Sequence, residues 1–229
     1  VDINLETIEL EHFRVSYDNK ATDQLYRTHL HDMTLSGALS QSVFSTTAST
    51  NMKILEARSG KVTLLRNQPA RLSIQVNVNS DSSTVEIPPS TIFISELPFS
   101  FQGDVDSLGY DFNVKGKQIA IADAASRFSV EQSAQVKKLE GSGYLIFDLD
   151  VEGKSDNTSP ATIQCKFGVD NGFLKDPVSK LSLQKLHLDG EYSNVGGKKK
   201  EFLALRNVSF NTKGGPFAGN LRLTKFDAP

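Results

Sequence analysis

The chain has 229 residues, and its 25 basic and 27 acidic side chains are interleaved to a formal net charge of -2. That balance gives no field to draw in a polyanion, so no nucleic-acid partner is expected. A single cysteine, Cys165, excludes an intramolecular disulfide framework and leaves zinc without its usual thiolate set; it reads as a small apolar residue on a strand face.

Alternation with period two, the mark of a strand with one apolar and one polar face, dominates the chain. The first copy of an irregular variant is Leu10, Phe13, Val15, Tyr17, and a second follows at Leu30, Met33, Leu35, Gly37, Leu39. NMKIL and KVTLL come next, then RLSIQVNVNS, where Leu72, Ile74, Val76 and Val78 oppose Ser73, Gln75, Asn77 and Asn79. STIFI and LGYDFNV complete the first half. The stretch IADAASRFSVEQSAQVKKLEG breaks the rhythm. Ser129 and Gln132 form a capping box and Gly141 a stop, which predicts a helix over 129–139, preceded by a turn at Asp123.

Strands resume in GYLIFDLDVEG, with Leu145, Phe147, Leu149 and Val151 on one side, and in TIQCKFGVDNG, with Ile163, Cys165, Phe167 and Val169. LSLQKLHLDGEY repeats the irregular cadence as Leu183, Leu186, Leu188, Gly190, Tyr192, and EFLALRNVSF as Leu205, Val208, Phe210, Thr212; GNLRLTKF ends the series. A step of three flips a side chain across an ideal strand, so each cadence requires a bulge or bend within its first step. Gly37 and Gly190, in the apolar register, mark a close approach or sharp bend. Turn signals stand at ARSG (57–60), RNQP (66–69), EIPPS (86–90), DNG (170–172) and NVGGKKK (194–200). Their short spacing favours hairpins over parallel crossovers. The expected fold is mainly β: a long curved antiparallel sheet of about a dozen repeated strands, forming an open groove or flattened barrel, with one short helix. Its halves would be 1–118 and 119–229, or one continuous domain.

No catalytic constellation is visible, and neither a metal site nor a cofactor is expected. His29 and His31 alternate beside Asp32 but lack a third ligand in sequence, and His12 and His187 fall on polar positions of the cadence. The acids of DVD (104–106) and FDLDVEG (147–153) fit a solvated strand face better than a calcium loop. KGGPFAGN lacks a phosphate-loop pattern and reads as a hairpin tip, and the KKK run (198–200) as a solvated loop. The sequons at 157–159 and 207–209 carry weight only in a secreted eukaryotic protein, and the second lies inside a predicted strand.

The order of G-x-L-x-F-D-L-x-V-x-G, F-G-V-D-N-G-F-L, L-x-L-D-G and L-x-N-V-S-F…G-G-P-F-A-G-N-L, preceded by the helical segment, resembles the AsmA-like family of bacterial envelope proteins in its Bacteroidetes type. The opening IELEHFRVSYDN and LHDMTLSGAL extends the likeness over most of the chain. The resemblance implies a periplasmic segment of a protein anchored in the inner membrane outside this sequence, with a sheet curled into an apolar groove that carries phospholipid acyl chains in outer-membrane biogenesis. It carries over no catalytic residues, and it leaves open whether the edge strands pair with the rest of the full-length chain. The residues expected to line the groove are Leu72, Ile74, Val76, Leu145, Phe147, Leu149, Ile163 and Phe167. The alternative expectation is a closed structural or adhesive β-sandwich module, in which these residues form a filled core.

Overall fold

The computed structural model describes residues 6–20, 23–39, 41–59, 62–127, 140–155, 161–197 and 200–224. Among them are twelve strands: β1 (Thr7–Asn19), β2 (Gln24–Gly37), β3 (Val43–Ser59), β4 (Val62–Asn79), β5 (Thr84–Ile94), β6 (Leu97–Val105), β7 (Gly109–Ala120), β8 (Glu140–Lys154), β9 (Thr162–Lys175), β10 (Ser182–Ser193), β11 (Phe202–Thr212) and β12 (Gly215–Thr224). They form one antiparallel sheet in strict chain order from β1 to β12, and the sheet does not close on itself. Short connections favour pairing between sequential neighbours, and the longest interval, between β7 and β8, contains the helix.

One short helix, α1 (Ile121–Arg127), follows β7 and carries Asp123 in its first turn, where a carboxylate favours the helix dipole. The helix predicted over 129–139 lies outside the described residues. Gly141, expected to stop it, is instead the second residue of β8.

Three of the expected turns prove to be interior parts of strands. RNQP lies within β4, EIPPS within β5 and DNG within β9. Each carries an irregularity and no reversal. Asn67 and Asn171 take left-handed backbone angles (φ 54 and 48), and the β5–β6 register slips between Ile87 and Ser90, around the two prolines. Asparagine tolerates the left-handed region and proline cannot donate to a ladder, so both residue types suit a bulge as well as a turn. The turns at NVGG and at Lys213–Gly214 are genuine strand connections.

The irregular cadence has the same cause. Lys185 between Leu183 and Leu186, and Asn207 between Leu205 and Val208, both have φ of 53, and His12 between Leu10 and Phe13 has φ of 54. In β2 the register against β3 slips between Leu30 and Asp32. Each extra residue returns the next apolar side chain to the face it would otherwise leave. Bulges on neighbouring strands compensate: the β9–β10 pairing slips on either side of Leu186 and then resumes its earlier register.

The chain divides into two compact units, Val1–Phe112 with Gly153–Ser159, and Asn113–Glu152 with Pro160–Pro229. In the first, buried positions include Leu30, Ala48, Ile74, Leu97 and Phe99. In the second, Ile121 of α1 packs with Val169 and Leu186, and Leu145, Leu174, Leu188 and Phe210 surround that cluster.

Candidate functional site

In an antiparallel ladder, directly paired residues point to the same face, so the register shows which side chains share a surface. In the first unit one row runs Leu10, Met33, Thr50, Leu72, Ile92, Phe99 across six strands. The next runs Ile8, Leu35, Ala48, Ile74, and beyond it Val76 stands opposite Thr46. The threonines do not interrupt this apolar face. Thr50 Oγ1 donates to the Asp32 carbonyl at 2.6 Å and Thr46 Oγ1 to the Ser36 carbonyl at 2.8 Å, which satisfies their hydroxyls and leaves their methyl groups in the row.

The second unit repeats the arrangement. One row runs Phe147, Phe167, Gly190, Leu205, Leu221 and its neighbour Leu149, Cys165, Tyr192, Leu203, Leu223. Leu145 joins Val169 and Leu188, and Val151 stands opposite Ile163. All eight residues expected to line a groove therefore lie on an apolar face: Leu72, Ile74 and Val76 in the first unit, and Leu145, Phe147, Leu149, Ile163 and Phe167 in the second. Ile74 is buried and the other seven are half-buried.

Glycines in these rows make room for rings from the adjacent strand. A Cβ at Gly190 would collide with the Phe167 ring, one at Gly116 with Phe147, one at Gly103 with Phe112, and one at Gly153 with Tyr110. Each ring thus lies down across a bare stretch of the neighbouring backbone, an arrangement that pins register and shields the backbone from water. Gly37 is a close approach of another kind, with its backbone against the Ser45 carbonyl at φ of 152. The sequence marked Gly37 and Gly190 as close approaches or sharp bends, but nothing in it identified Phe167 as the neighbour of Gly190.

The exposed ends of the faces lie on the outer strands. Leu10, Phe13, Val15 and Tyr17 of β1 and Phe217, Leu221 and Leu223 of β12 are between 36% and 51% exposed. Tyr26 of β2 is held above the ordinary phenol range by burial and then by Tyr110 and Tyr17, while Tyr110 of β7 is raised by burial and then by Tyr17.

The opposite face is polar. Asp148 and Asp150 of β8 both accept from Asn113 Nδ2, at 2.7 and 2.6 Å, and Lys115 Nζ sits 3.0 Å from Asp148. Partial desolvation opposes the Asp148 charge, but hydrogen bonds from Asn113 and Lys115 and the charges of Lys115 and Lys166 outweigh it, and the carboxyl lies below its usual range. Asp106 Oδ1 accepts the backbone N–H groups of Leu108 and Gly109 and shapes the β6–β7 turn. The acidic segments are thereby accounted for as face and turn chemistry.

Cys165 sits half-buried in the apolar row, with its thiol pushed up by burial and then by Asp148 and Asp150, the reverse of what a nucleophile needs. Among the described residues no three His, Cys, Asp or Glu side chains are arranged to hold a metal ion, and no helix is long and apolar enough to cross a membrane. A shallow cavity of about 440 Å³ opens beside His31, Asn51, Lys53, Asn67, Arg71, Phe93 and Glu96. One of its cations is engaged: Arg71 stacks 3.9 Å from the Phe93 centroid and lies 3.3 Å from Glu96. Comparison with protein-family models, with curated proteins and with solved structures finds no match.

Proposed function

We propose that this chain is a non-enzymatic segment of an AsmA-like envelope protein whose apolar sheet faces bind phospholipid acyl chains during outer-membrane biogenesis. The observation that carries the reading is the alignment of mostly apolar side chains in register from strand to strand within each unit, on a sheet that does not close. An apolar sheet face must be buried against another layer or a ligand. An acyl chain laid along it gains about 0.8 kcal/mol per buried CH2, with little selectivity between lipids. The sequence resemblance supplies the setting, a periplasmic body within a protein anchored to the inner membrane.

The test is native mass spectrometry with lipid extraction on protein purified from bacterial cells. Phospholipid should co-purify, and its amount should fall in Val76→Asp, which charges the face of the first unit, and in Phe147→Asp, which charges that of the second. Far-UV circular dichroism confirms that each variant keeps its strands. A folded, lipid-free wild-type monomer would overturn the proposal in favour of a closed structural or adhesive module.

A further inference from the structure

β1 and β12 stand at the two ends of the strand order, and among the described residues β1 pairs only with β2 and β12 only with β11. Each keeps one row of backbone N–H and C=O groups without a ladder partner. Beside those rows lie the exposed apolar side chains Leu10, Phe13, Val15 and Tyr17 of β1 and Phe217, Leu221 and Leu223 of β12. Edge strands are commonly protected by being short or by carrying lysine. β1 has 13 residues and β12 has 10, and neither contains a lysine.

We propose that these two edges are the halves of one interface, in which β12 of one copy of the chain pairs antiparallel with β1 of a second copy. β11, which already pairs with β12, shows what that strand accepts. Leu203 faces Leu223 and Leu205 faces Leu221; the register then slips around left-handed Asn207, after which Val208 faces Gly219 and Phe210 faces Phe217. β1 has the same spacing in Ile8, Leu10, left-handed His12, Phe13 and Val15. Laid along the outer side of β12 in the register of β11, Ile8 meets Leu223, Leu10 meets Leu221, Phe13 meets Gly219 and Val15 meets Phe217. The two bulges then flank Asn220, and every apolar side chain stays on one face. Phe13 has the bare backbone of Gly219 beside it, as Phe167 has that of Gly190.

Charge favours this pairing over its symmetric rivals. The same register sets Glu9 opposite Arg222. Among the described residues Glu9 has no ion-pair partner, and Arg222 stacks 4.1 Å from the Phe202 centroid with no carboxylate beside it. A β1–β1 pairing that opposes Phe13 with Tyr17 brings Asp18 beside Glu11, and like charges facing each other are destabilising. A β12–β12 pairing leaves Arg222 without an acid, because β12 contains none. The proposed contact joins two different surfaces, so each copy retains a free edge and association continues beyond the dimer. It rests on strand pairing and does not depend on the lipid reading.

The experiment is sedimentation velocity on the tag-free chain over a concentration series, with bound lipid measured on the same samples so that the two readings fail separately. The average mass should rise past that of a dimer. Glu9→Arg and Arg222→Glu should each weaken association by about threefold to tenfold, and the double reversal should restore it. Phe13→Lys, at an exposed edge position, should leave the chain monomeric. Circular dichroism checks that each variant keeps its strands, and Val15→Lys replaces Phe13→Lys should that variant lose them. A monomer at every concentration, growth that stops at the dimer, a double reversal no tighter than the single ones, or unchanged association in the lysine variant would overturn the proposal.

Discussion

The ring of Phe167 lies across Gly190 on the adjacent strand, in the space that any larger side chain at 190 would need. The pair therefore behaves as one packing unit, with a missing side chain on one strand serving as the seat for a ring on the other.

Gly190→Leu should destabilise the protein by about 1–3 kcal/mol, because the added side chain displaces a seated ring. Phe167→Ala in the same background should recover part of that loss. Urea titrations of the wild type, both single variants and the double variant give the coupling directly. Additive effects would show that the ring and the glycine are not coupled.

The left-handed residues of the bulges yield a second prediction. Lys185 at φ of 53 strains any β-branched replacement, so Lys185→Val should destabilise by about 1–3 kcal/mol. Lys185→Gly should be neutral or stabilising, since glycine occupies that region without a steric penalty. Equal effects for the two substitutions, measured as shifts in denaturation midpoint, would refute a bulge at this position.

Acid sensitivity follows from Asp148. Its folded carboxyl lies below the ordinary value of 3.8, so its contribution to stability is complete above that value and is lost as pH falls through the folded pKa. Asn113→Ala removes a hydrogen bond to the charged form and should shrink the difference between the folded and unfolded pKa. The variant's stability should then depend less on pH below 3.8 than that of the wild type, as measured by urea midpoints across the acid range.

Tyr192 donates from its hydroxyl to Glu201 Oε1 at 2.6 Å. Burial, then that hydrogen bond and the Glu201 charge, push the phenol up from 10.0, so in an ultraviolet pH titration Tyr192 should ionise late, as should Tyr26 and Tyr110. Tyr192→Phe should remove this late-titrating phenol and cost about 1–2 kcal/mol of stability, the range for a hydrogen bond to a charged group that is partly exposed.

The sequence by itself determined the face of each strand and the need for bulges. Alternation assigns Leu145, Phe147 and Leu149 to one side without reference to any other strand, because side-chain direction in a strand is local geometry. The step of three from Leu183 to Leu186 required an extra residue between them, and Lys185 supplies it. The antiparallel pairing followed from the short spacing between strands, whereas the helix at Ile121–Arg127 stands where the sequence suggested only a turn at Asp123.

Only the tertiary structure decided the rest. Asn67, Asn171 and the two prolines at 88 and 89 carry local preferences that fit a turn and a bulge equally, and it is pairing with flanking strands that carries β4, β5 and β9 straight through them. The meeting of Phe167 with Gly190 depends on cross-strand register. Register is a relation between two segments, and no periodicity within one of them contains it.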